Sequence, residues 1–106
     1  MDTILEEPIG ISVFAVCELF MGAELSSHSE REAARVEGIC ESLHVDYPDY
    51  RFAAAFAKHY ARQETGQRIS TMDLLIATAA TLADAPLVTR NTKDFSRVAG
   101  LKLMGY

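Results

Sequence analysis

Three carboxylates in this 106-residue chain, Glu18, Asp73 and Asp94, sit in apolar company. On a helix running from Phe14, Glu18 falls one turn from Phe14, Met21, Gly22 and Leu25, on the face a core would cover. Asp73 lies in Met72-Asp73-Leu74-Leu75-Ile76-Ala77, the start of a helix apolar almost all round. Asp94 follows a stretch that reads as a strand, at the carboxyl edge where open α/β sheets bind their ligands. A buried carboxylate needs a partner or a metal. Acids gathered on one edge of a sheet are hard oxygen ligands suited to Mg²⁺ or Mn²⁺, with water and a substrate phosphate completing the shell. Each acid also has a structural role open to it. Ser70-x-x-Asp73 fits a capping box, Asp94 can cap the turn before Phe95, and Glu18 can point sideways into solvent.

The elements that must position these acids alternate in type. Ile9 to Val13 is β-branched and reads as a buried strand running straight into a helix over Ala15 to Leu25. Ser29, ahead of Glu30 and Glu32, starts a second helix to Leu43, with Ala33, Val36, Ile39, Cys40 and Leu43 at helical spacing. His44-Val45-Asp46 is a brief strand, and Asp49 caps a helix to about Glu64 that stops at Gly66. Ser70 caps a helix over Thr71 to Ala83, closed by Pro86. Leu87 to Thr89 is a strand, Asn91 to Val98 a loop with one helical turn, and Leu101 to Met104 a last strand. Strands alternating with helices predict an α/β domain with a parallel sheet.

Composition narrows the class further. With 49% hydrophobic and 24% charged residues the chain is expected to fold, and 106 residues allow one core. No run is apolar enough for a membrane span and the first residues lack a signal pattern, so a cytoplasmic protein is expected. Cys17 and Cys40 have no metal-like spacing and read as reduced core thiols. The net charge of −5 argues against nucleic acid until its distribution is counted. Residues 1–50 carry two basic side chains against eleven acids, and residues 51–106 carry eight against four. Such segregation suits a site that sets carboxylates beside a basic rim, and it equally suits two solvated faces.

The run Ile11-Ser12 through Glu18-Leu19 to Gly22 resembles the I-S-x-x-x-x-x-E-L-x-x-G element of PIN-domain ribonucleases. Asp73-Leu74-Leu75-Ile76-Ala77 resembles their D-x-L-I-A helix start, and Leu87-Val88-Thr89-Arg90-Asn91-Thr92-Lys93-Asp94-Phe95 their L-V-T-x-N-x-x-D-F loop. Ser96 to Leu101 also fits the VapC-type toxins of toxin-antitoxin pairs, so the resemblance spans nearly the whole chain. It implies a three-layer α/β/α fold and metal-dependent hydrolysis of RNA. Glu18, Asp73 and Asp94 would be the metal-binding catalytic acids, with Mg²⁺ or Mn²⁺ as cofactor. Thr89 and Asn91 would line the site, and Arg90, Lys93 and Arg97 would guide the RNA backbone or serve only as surface charge. The implied partners are RNA, with tRNA one candidate, a cognate antitoxin and a second copy of the chain.

The same resemblance implies a central strand, in the order 3-2-1-4-5, that ends in Asp-Thr or Asp-Ser and supplies a further aspartate. Asp2-Thr3 is a poor substitute, because parallel strands need a crossover of a dozen or more residues and few separate it from Ile9. Met1 to Glu7 reads instead as the end of a helix leading into the Ile9 strand. The expectation is therefore a single incomplete PIN-like domain over residues 1–106. A fragment or a miscalled start is favoured over a gap filled by another chain or a decayed copy. Loss of one acid would weaken metal binding, so a silent module that only docks an antitoxin or another PIN chain is the competing function.

Overall fold

In the computed structural model the described residues are 10–63, 66, 68–89 and 91–105. The expectations placed on Met1 to Ile9, Glu64 and Arg90 lie outside them. The chain divides between Tyr47 and Pro48 into two compact units.

In the first unit, strand β1 (Gly10–Ser12) passes without a loop into helix α1 (Val13–Leu25). Ser12 makes this possible by serving as both the last strand residue and the helix cap, its Oγ accepting the Ala15 N–H at 3.1 Å. Helix α2 (Ser29–Glu41) returns the chain to strand β2 (His44–Asp46), which pairs parallel to β1 in the register Gly10↔His44, Ile11↔Val45, Ser12↔Asp46. The crossover through two helices supplies the length that parallel pairing requires. Close packing shows at Gly10, where a Cβ would meet Asp46 Oδ2 at 2.6 Å. Among the described residues of this unit, Val16 and Ala23 of α1 and Val36 of α2 are the buried ones.

The second unit carries helix α3 (Phe52–Arg62), helix α4 (Thr71–Ala83), strand β3 (Leu87–Thr89), the single turn α5 (Thr92–Phe95) and strand β4 (Leu103–Gly105). Its core is Leu74 and Ala77 of α4, 1% and 0% exposed, with Phe95 and Val98, and Phe56, Ile69, Leu87, Leu101 and Leu103 packed around them. Burying a leucine to this degree contributes roughly 1.5–3 kcal/mol. Thr78, also fully buried, satisfies its hydroxyl by donating to the Leu74 carbonyl at 2.7 Å. Helix α4 ends at Asp84 with φ +52°, and the Asp84 carboxylate meets Lys102 Nζ at 2.9 Å. Strands β3 and β4 are parallel, Thr89 standing opposite Gly105.

The expected parallel pairing is present among the described residues as two two-stranded sheets, β1–β2 and β3–β4. Several other expectations need correction. Helix α2 is capped by His28 without a side-chain bond, because Ser29 already lies in the helix. Asp49 lies ahead of the cap of α3. Its carboxylate accepts the Arg51 N–H at 2.9 Å and pairs with the Arg51 guanidinium, whose hydrogen bonds hold the Asp49 pKa below the ordinary carboxylate range. The last strand begins at Leu103 rather than Leu101, its ladder opening with the Leu87 N–H donating to the Lys102 carbonyl at 2.8 Å. Cys17 is exposed and Cys40 half-buried, both free, so Cys17 is not a core thiol. Among the described residues no helix is long and apolar enough to cross a membrane.

Candidate functional site

Of the two placements open to Glu18, the structure shows the one that faces solvent. Glu18 is exposed, because the buried positions of α1 are Val16 and Ala23, two turns apart on one face. At about 100° per residue Glu18 stands about 200° round from Val16. The face it shares with Met21 and Leu25 is the open one, Met21 being 54% and Leu25 86% exposed. Glu18 lines a groove of about 280 Å³ with Leu19, Gly22, Glu32, Arg35 and Ile39. Arg35 there pairs with Glu32 at 3.4 Å. Among the described residues the Glu18 carboxylate has no hydrogen-bond or ion-pair partner.

Asp73 is half-buried in the first turn of α4. Ser70 caps that turn, its Oγ accepting the Asp73 N–H at 3.1 Å while its carbonyl accepts the Leu74 N–H at 2.9 Å. The reciprocal half of a capping box is absent among the described residues. The Asp73 carboxylate makes no return bond to Ser70 and has no other partner there, so capping does not consume it.

Asp94 is half-buried in α5 and is held from two sides. Asn91 caps α5, its Oδ1 accepting the Asp94 N–H at 3.3 Å and its Nδ2 donating to Asp94 Oδ2 at 2.9 Å. Arg97 meets the other carboxylate oxygen at 3.6 Å. Thr89 Oγ1 accepts the Asn91 N–H at 3.0 Å, which joins the end of β3 to this cap. Gly105 lies opposite Thr89, and a Cβ there would stand 3.1 Å from Thr92 Cγ2, a tight fit that a small shift of the Thr92 side chain would have to relieve. Lys93 is exposed, and Arg90 falls outside the described residues.

The core of the second unit draws on both helix starts. Leu74 and Phe95, the residues directly after Asp73 and Asp94, belong to one buried cluster. Among the described residues no three His, Cys, Asp or Glu side chains stand together to cage a metal ion. The donor set nonetheless suits a hard divalent cation, because Mg²⁺ is commonly held by one or two carboxylates together with water and substrate phosphates.

Two features of this region have no sequence signal. The closeness of Gly105 to Thr92 depends on strand register. Gln63 and Tyr60, at the end of α3, reach Ile69 and Arg68 across six and eight residues, spacings that belong to no helix or strand period.

Comparison with known proteins finds similarity over most of the chain's length. The family model of the PIN domain matches residues 2–101. The tRNA(fMet)-specific endonuclease VapC of Shigella flexneri is 37% identical over 95 residues, covering 87% of this chain and 70% of that protein. Ribonuclease VapC1 of Haemophilus influenzae is 30% identical over 93 residues, covering 87% and 69%. Among solved structures, DNA-bound VapBC from Salmonella typhimurium superposes with a TM-score of 0.84 at 31% identity, covering 91% of this chain and 74% of that one. VapBC2 from Rickettsia felis, bound to a DNA fragment from its promoter, also gives 0.84, at 28% identity over 92% and 74%.

Proposed function

The chain belongs to the PIN-domain family, and from that premise we propose that it is an endoribonuclease of the VapC toxin type, hydrolysing RNA phosphodiester bonds and neutralised by an antitoxin protein. The observation that carries this reading is the pair of acid-bearing helix starts, Asp73 and Asp94, seated by adjacent residues of one core. Glu18, Asp73 and Asp94 are the residues that would hold Mg²⁺ or Mn²⁺. When bound, such an ion activates water and neutralises charge on the scissile phosphate.

The chain's own groups have distinct tasks in this reading. Asp73 offers both carboxylate oxygens, since neither is engaged among the described residues. Asp94 offers a carboxylate whose orientation is set by the Asn91 amide and whose charge is shared with Arg97. Thr89 orients Asn91 through its backbone N–H. Lys93, exposed one residue before Asp94, gives the RNA backbone a cation, and Arg90 and Arg97 extend that role. The name of the Shigella flexneri relative makes tRNA the first substrate to try. The VapBC complexes make an antitoxin the first partner to try, and a homodimer of one domain per chain, working in the cytoplasm, completes the reading.

RNA incubated with the purified chain and Mg²⁺ or Mn²⁺ tests it. The expected result is cleavage that stops on chelation and falls about 100-fold or more in Asp73→Asn. Absence of metal-dependent cleavage, or cleavage unchanged in both Glu18→Gln and Asp73→Asn, overturns it. One observation favours a second reading: the described residues gather no three metal-ligating side chains. A silent module that docks an antitoxin or another PIN chain would bind its partner in the same preparation and leave RNA intact.

A further inference from the structure

We propose that Gln63 and Tyr60, at the end of α3, are positioning residues for Asp73. This deepens the reading of Asp73 as a metal ligand and rests on it for its functional consequence. The Asp73 carboxylate has no hydrogen-bond or ion-pair partner among the described residues, so the placement of its backbone carries more of the work of setting where it stands. That backbone is set at Ser70, whose hydroxyl and carbonyl take the Asp73 and Leu74 N–H groups. Ser70 is placed in turn by the two residues before it, and both are tied to α3. The Ile69 N–H donates to Gln63 Oε1 at 2.8 Å in a partly buried bond. Arg68 Nη1 donates to the Tyr60 hydroxyl at 2.8 Å, with the guanidinium carbon 4.8 Å from the centre of the ring.

The anchor end of this clamp is packed through a series of rings. Tyr60 continues the ring series Phe52, Phe56, Tyr60, with successive centroids 6.4 Å apart. Phe56 and Ile69 both pack on the Leu74 cluster, so the clamp closes between two points of one core. The turn it closes bends at Gly66, whose φ of +84° is open to glycine at no steric cost. Asp94 needs no such device, because Asn91 and Arg97 hold its carboxylate directly. The two acids are therefore positioned by different means, one through its side chain and the other through the backbone that α3 restrains.

The substitutions that test this are Gln63→Met, which keeps the length of the side chain and removes the acceptor, and Gln63→Glu, which keeps an acceptor. Two readouts are taken on the intact chain: amide hydrogen exchange at Asp73 and Leu74, and Mn²⁺ affinity by electron paramagnetic resonance. Gln63→Met is expected to speed exchange at those two amides about tenfold and to weaken Mn²⁺ binding by about tenfold, the scale on which supporting residues act around metals. Gln63→Glu is expected to restore both, and Tyr60→Phe, which keeps the ring, to give a smaller shift in the same direction. Unchanged exchange in Gln63→Met overturns the proposal, as does an equal rise throughout the second unit. A wild-type chain that binds no Mn²⁺ overturns the ligand reading instead, and the exchange measurement still decides the clamp.

Discussion

The starts of α4 and α5 are built on one sequence plan and reach different ends. In Ser70-Thr71-Met72-Asp73 and Asn91-Thr92-Lys93-Asp94 the cap residue accepts the backbone N–H of the acid three positions on. The serine at 70 does no more for Asp73, whose carboxylate stays unpartnered among the described residues. The asparagine at 91 carries an amide with both an acceptor and donors, so it takes the Asp94 N–H and returns a hydrogen bond to the carboxylate at 2.9 Å. The choice of cap thus decides whether an acid is free to take a ligand or held in one orientation.

The largest effect should come from removing what the two starts share. Leu74→Ala is expected to cost about 2–5 kcal/mol, because it empties the centre of the cluster that seats both acids. Urea unfolding measures it, and a cost below about 1 kcal/mol would show that the starts do not depend on a common core. Next come the caps themselves. Ser70→Ala and Asn91→Ala should each cost about 1 kcal/mol, and only Asn91→Ala should also raise the mobility of the adjacent carboxylate. NMR relaxation of the Asp73 and Asp94 side chains distinguishes the two. A gentler change converts one start into the other: Asn91→Ser should keep the cap to within about 0.5 kcal/mol, since the two residues rank alike there, while releasing Asp94. If the Asp94 side chain stays as ordered as in the wild type, Arg97 alone holds it.

The smallest effect concerns the anchor of α4 rather than its start. His59 on α3 lies 3.4 Å from the Thr81 hydroxyl, and burial, with Arg62 adding to it, lowers its pKa below the ordinary 6.5. The unfolded chain then takes up this proton more readily than the folded one. Stability should be full above pH 6.5 and decline as the pH falls through the lowered value. His59→Gln should flatten that part of the profile in melts at graded pH, and an unaltered slope would remove His59 from the account.

Much of the second unit was legible in sequence, because its signals are local. Ser70 ahead of an apolar run marked α4 to the residue at both ends, and Leu87 to Thr89 marked β3. A strand running straight into a helix was legible for the same reason, although the junction falls at Ser12 and not after Val13. The first unit shows where local signals end. Helix α1 is apolar nearly all round, so periodicity cannot say which face is covered: it left Glu18 open between a buried face and solvent and read Cys17 as a core thiol, and both prove exposed. The freedom of Asp73 was hidden too, since Ser-x-x-Asp is also the pattern of a closed capping box. The clamp of Gln63 and Tyr60 left no trace, because contacts across a turn follow no repeat.

Mn²⁺ binding to the intact chain, followed by electron paramagnetic resonance in the wild type beside Asp73→Asn, bears most directly on the account. The substitution keeps the backbone N–H that Ser70 caps, so the fold should be unchanged while the ligand oxygen is lost. The prediction is saturable binding in the wild type and affinity at least about tenfold weaker in the variant. Equal affinity in the two, with the fold intact, would contradict it.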